Sequence, residues 1–151
     1  MRSVIPAVLV FLTVTAVPVC ASGFDDKIPD QQSIDALAAK VRQAQPREQC
    51  FLYAEMVHEM TELSLRQYAA GDVEKAAELL KQVQGLTRKI HLSVADDNKR
   101  LKNTEILLRH TAFRLTGMLH SSSFEDQSLV AQTLAQVNQV QTEAMMQVFR
   151  K

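Results

Sequence analysis

The chain reads as an all-α protein: an antiparallel bundle of three to four long helices preceded by a short leading helix. Helix-favouring residues (Ala, Leu, Gln, Glu, Lys and Arg) dominate its composition. Turn residues are scarce: no Pro follows Pro46, and beyond Gly23 the glycines are Gly71, Gly85 and Gly117. An all-β sandwich would need such residues at short intervals. Apolar residues instead recur at steps of three and four over long stretches, the period of an amphipathic helix.

The first residues carry a different pattern. Arg2 is followed by an uncharged apolar run from Val4 to Val17, and Val19-Cys20-Ala21 ends it with a small residue. This is the layout of a secretory signal peptide over residues 1–21, with a run too short to span a bilayer comfortably. The expected location is therefore periplasmic or extracellular. A lipid anchor at Cys20 is disfavoured, because a lipobox wants a small residue where Val19 stands. With residues 1–21 removed, 16 Lys and Arg remain against 17 Asp and Glu. That near-neutral balance speaks against nucleic acid as a partner and against a polybasic grip on anionic lipid.

Residues 22–29 form a polar lead, and 30–151 a single helical-bundle domain. Asp30 is a candidate N-cap for a helix over 31–45, whose buried stripe is Ile34, Leu37, Ala38 and Val41. Pro46 ends or kinks that helix. A second helix is predicted over 47–70, with Phe51, Ala54, Val57, Thr61, Leu65 and Tyr68 on its inner face. Gly71 then provides a C′ residue and Asp72 caps the chain afresh.

From 72 to 119 one apolar register persists: Val73, Ala76, Leu80, Val83, Thr87, Ile90 and Val94, then Leu101, Thr104, Leu108, Thr111, Leu115 and Met118. The unbroken phase predicts a single helix of roughly 72 Å. Asp96-Asp97-Asn98 is the competing signal, a break with a new cap. A rod of that length outruns its neighbours, which predicts an elongated particle self-associating through residues 50–95, with Leu79, Leu80, Leu86 and Ile90 seeking a second chain. Ser121-Ser122-Ser123 is a loop, and Ser122 with Glu125, or Asp126 alone, caps a last helix over about 127–149.

Two strings resemble known proteins. Tyr68-x-x-Gly71-Asp72-x-Glu74-x-Ala76 resembles the turn of a tetratricopeptide repeat, but no second copy stands 34 residues away, so a repeat array is not expected. The run Lys99-Arg100-Leu101-Lys102-Asn103-Thr104-Glu105-Ile106, with Ser123-Phe124-Glu125-Asp126, Met146 and Phe149, resembles a group of uncharacterised secreted helical proteins of acidobacteria. That likeness extends from about residue 51 to the end. It implies an all-α secreted protein and no particular chemistry.

Catalytic and cofactor motifs are thin. Glu55-x-x-His58, with Glu62 one turn on, places two carboxylates and an imidazole on one helix face, a candidate metal site for copper or iron. A di-iron bundle needs a second such unit on a facing helix. Met56, Met60, Met118, Met145 and Met146 could add soft ligands, but core packing is the simpler role. Absence of Cys-x-x-Cys-His excludes covalent haem, no cofactor is implied, and the serines beside His120 lack a Gly-rich elbow. Cys50 reads as a buried thiol. A non-enzymatic interaction or scaffold protein, binding a protein partner or itself, is the expected function; a periplasmic metal-binding bundle is the alternative.

The cleavage pattern makes an immediate prediction. Intact-mass analysis of secreted protein is expected to give an N-terminus at Ser22 or Phe24; a diacylglyceryl adduct on Cys20 would contradict it.

Overall fold

The computed structural model describes residues 29–150, so the expected signal segment and Cys20 lie outside the described residues. Five helices are present: α1 (Gln31–Gln43), α2 (Pro46–Ala69), α3 (Val73–Ser93), α4 (Leu101–Ser121) and α5 (Phe124–Phe149). No strand occurs among the described residues, and no helix there is long and apolar enough to cross a membrane.

Local signals explain most of the boundaries. Asp30 caps α1 as expected: its carboxylate accepts from Ser33 N at 2.7 Å, and Asp30 N donates back to Ser33 Oγ at 3.2 Å. Pro46 stands in the first turn of α2, where its missing N–H costs nothing. Gly71, at φ +83, adopts the left-handed conformation that ends α2, and Asp72 follows as the N-cap residue of α3. The Asp72 carboxylate makes no cap bond, however, and binds Lys75 Nζ at 2.6 Å instead. The start of α5 differs from expectation. Ser123 is its N-cap residue, and its hydroxyl donates to Asp126 at 2.6 Å.

The predicted single helix over 72–119 is not what forms. It breaks between Ser93 and Leu101 at the Asp96-Asp97-Asn98 cluster. Asn98 is buried and spreads its amide N–H groups over three carbonyls, at 2.6 Å to Ser93, 3.3 Å to Val94 and 3.2 Å to Asp96. These bonds close the end of α3, whose last carbonyls would otherwise be orphaned. Arg100 then enters α4 at φ 59, a strained conformation for a side chain of its size. Its guanidinium lies 3.7 Å from the centroid of the Phe51 ring, a cation–π contact that offsets the strain.

The break changes the architecture. Helix α2 packs on α3, α4 on α5, α2 on α4 and α3 on α5; α3 and α4 sit on a diagonal, with no close approach of their backbones. Successive helices run antiparallel, as Ser64 Oγ bonding to Ala76 O and Gln141 bonding to Glu105 show. Helices α2 and α4 run side by side in the same direction, with His58 meeting Thr111 and Tyr68 Oη accepting from Ser123 N. Two hairpins thus lie flank to flank, and α1 lies along α2 on the outer side of the first.

The expected elongated particle is corrected by the same observation. Leu79, Leu80 and Ile90 are buried within one chain, with Leu86 packed against them, so they do not call for a second chain. The core runs through Val57, Val83, Leu108, Leu115 and Val137, each fully buried. Threonines interrupt it on every long helix: Thr61, Thr87, Thr111 and Thr133. Each returns its hydroxyl hydrogen to the carbonyl four residues back, at 2.8–2.9 Å, and so buries no unsatisfied donor.

Because Asn98 satisfies three carbonyls at once, Asn98→Ala is expected to lower the free energy of unfolding by about 1–3 kcal/mol. Urea denaturation checks this, and Asn98→Asp, which keeps the shape and loses the donors, is expected to cost at least as much.

Candidate functional site

The seam between the parallel helices α2 and α4 gathers the candidate metal residues. Glu55, His58 and Glu62 stand on one face of α2, all partly buried, and that face meets α4. Glu62 is engaged by Arg114, whose Nη2 donates to Oε2 at 2.9 Å while Nε donates to Oε1. This two-point contact holds the Arg114 guanidinium more firmly charged. His58 Nδ1 lies 3.0 Å from Thr111 Oγ1. Thr111 spends its only hydroxyl hydrogen on Leu107 O, at 2.9 Å. The threonine oxygen must therefore accept, and His58 donates from Nδ1, leaving Nε2 unprotonated in the neutral ring.

Burial pushes the His58 imidazole below its ordinary value; Glu62 opposes that shift, while His110 and Arg114 reinforce it. Burial pushes the Glu55 carboxyl up, against the pull of Arg100 and Lys40. Both groups are thus biased toward their neutral forms. Among the described residues no three His, Cys, Asp or Glu side chains converge so as to hold a metal ion. The structure brings Glu55, His58 and Glu62 to one seam but ties Glu62 to an arginine.

Other sequence candidates resolve in the same manner. Cys50 is fully buried with a free thiol, pushed up chiefly by burial and also by Asp96, with a hydrogen bond from Ser93 acting the other way. Met56, Met60 and Met118 are buried in the core, whereas Met145 and Met146 are exposed. The serines beside His120 bond the end of α4: Ser121 Oγ and Ser122 Oγ donate to Met118 O at 3.1 and 2.6 Å. His120 Nδ1 approaches Thr116 O at 2.7 Å. Acidic α2 and the basic segment 98–119 meet within the chain. Lys99 reaches Glu48 at 3.2 Å, and Arg114 holds Glu62.

A second polar seam, between α3 and α5, was not singled out by the sequence. Gln84 donates to Thr133 Oγ1 at 2.9 Å, and His91 Nδ1 meets Glu143 at 2.8 Å. A groove of about 270 Å³ lined by Thr87, Arg88, His91, Gln136, Gln139 and Val140 lies along it. Sequence spacing within one helix holds no information about such cross-helix pairs.

No protein-family model, curated protein or solved structure matches the chain.

The His58 environment makes stability depend on pH with a definite sign. Its folded-state pKa is depressed, so the unfolded chain takes up the proton first as pH falls through about 6.5. Stability from neutral His58 is present above that value and is lost as pH falls toward the folded pKa. Between about pH 7.5 and about pH 5, urea unfolding of the wild type is expected to show a larger loss than that of His58→Gln.

Proposed function

We propose that the chain is a non-enzymatic secreted or periplasmic scaffold that acts through its helical surface. The observation that carries this reading is how the polar groups are spent. The residues that looked chemically active are engaged in holding helices together: Glu62 with Arg114, His58 with Thr111, and the Ser121 and Ser122 hydroxyls with a helix end. Large apolar side chains stand in solvent instead, among them Phe113, Phe124 and Phe149. Location outside the cytoplasm is supported by the signal-like pattern of residues 1–21. The likeness to secreted acidobacterial helical proteins agrees with it.

One observation favours the alternative, a copper- or iron-binding bundle. His58 points its hydrogen-bonded Nδ1 at Thr111 and so keeps Nε2 as a lone-pair donor, one turn from Glu55. Metal-ligating histidines are commonly oriented by such a partner on the other nitrogen.

A single experiment separates the readings. For a scaffold, the double substitution Glu55→Gln with His58→Gln is expected to leave metal content unchanged in protein purified without a His tag, as read by elemental analysis. Stoichiometric copper or iron that disappears in the double variant would establish the metal-binding reading and remove the scaffold one.

A further inference from the structure

The helices stack as three layers: α1, the α2–α3 hairpin and the α4–α5 hairpin. The first hairpin is covered on its outer side by α1, and Met56 and Met60 are buried. Among the described residues no helix covers the far side of the second hairpin. On α4, Thr111 and Arg114 turn toward α2 and Glu105 turns toward α5. Helical periodicity therefore turns Ile106 and Phe113, seven residues apart, away from both. On α5, Thr133 and Glu143 face α3 and Gln141 faces α4, which leaves Phe124, Met145 and Phe149 along the free edge. Phe113 is 77% exposed, Phe124 91% and Phe149 83%, whereas Phe51 on the first hairpin is buried. A groove of about 540 Å³ beside Leu119, Phe124, Gln127 and Ala131 continues this face.

We propose that this face of α4–α5 docks a second copy of the chain, back to back about a two-fold axis parallel to the helices. Such an axis sets α4 of one protomer against α5 of its partner, in the antiparallel sense already used within each hairpin. The charges do not oppose that pairing. Beside Ile106 and Phe113 the free face of α4 carries Lys102 and Arg109, whereas Arg114 is spent on Glu62. Helix α5, which faces them across the axis, has no Lys or Arg along its length. Six phenylalanines across two protomers, at roughly 150–250 Å² each, approach the roughly 1,200 Å² of a standard interface. The result is a symmetric stack of layers with an α1 at each end. Stacked helical arrays need such polar-faced terminal elements for solubility.

This assignment rests on the reading of the chain as an interaction scaffold, and its test does not involve metal. Sedimentation velocity over a wide concentration range is expected to show a dimer that dissociates on dilution. Phe113→Asp is expected to weaken it at least about tenfold, and Phe124→Asp serves as a second variant. Leu92→Asp, 79% exposed on α3 and off this face, is expected to leave the dimer intact. Far-UV circular dichroism verifies that each variant keeps its helices. A monomer at every concentration, or a dimer indifferent to both phenylalanine substitutions, would overturn the proposal. So would a monomer that binds phosphatidylglycerol vesicles through Phe113, since the face would then belong to a bilayer. Metal content is unaffected by either result, so failure here is distinct from failure of the scaffold reading.

Discussion

Asn98 decides the architecture of this protein. Its amide N–H groups bind the last carbonyls of α3, and the segment 94–100 then turns across the end of the bundle. Backbone and side chain fasten that turn to the start of α2. Lys99 N donates to Arg47 O at 2.8 Å, and the Arg47 guanidinium meets Asp97 at 2.8 Å. Without the turn, α3 and α4 would continue as one helix, because their apolar positions share a phase. With it, α4 arrives beside α2 and parallel to it, and α5 is carried to α3. Every later contact in the bundle depends on that placement.

Polar contacts cross both kinds of seam that result. Between chain neighbours, each antiparallel hairpin of long helices is crossed by a hydrogen bond, Ser64 to Ala76 O in one and Gln141 to Glu105 in the other. Between the parallel pairs, polar contacts appear: Glu62 with Arg114 and His58 with Thr111 on one side, Gln84 with Thr133 and His91 with Glu143 on the other. Partly exposed ion pairs of this sort contribute at most about 1 kcal/mol each. Their larger effect is on register. A buried apolar stripe tolerates sliding by a turn, whereas a two-point arginine–carboxylate contact does not.

The same economy bears on function. Chemistry in a helical bundle needs polar groups converging on a cavity, with hydrogen-bonding capacity left over. Here the histidine and carboxylates of α2 are drawn into helix pairing, and burial biases His58 and Glu55 toward neutrality. The surface differs in kind between the hairpins. One is lined by α1, the other shows aromatic rings to solvent. That asymmetry supports the scaffold reading proposed above.

How much of this was legible beforehand varies with the range of the interaction. Sequence alone determined the all-helical class and the ends of the first two helices, because periodicity, the Asp30 cap, Pro46 and Gly71 act within a few residues of themselves. It also determined most core positions, among them the Thr104–Leu108–Thr111–Leu115 stripe. The break at Asp96-Asp97-Asn98 was visible but outweighed, since an intact phase on both sides mimics continuity; only the amide of Asn98 folding back on three carbonyls distinguishes the two. The candidate metal face on α2 was legible as a face, yet its engagement was not, because Arg114 lies 52 residues from Glu62 along the chain. Such pairing is created by the crossover. Tertiary structure alone decided which helices lie side by side, and therefore which charges are spent and which aromatic rings remain uncovered.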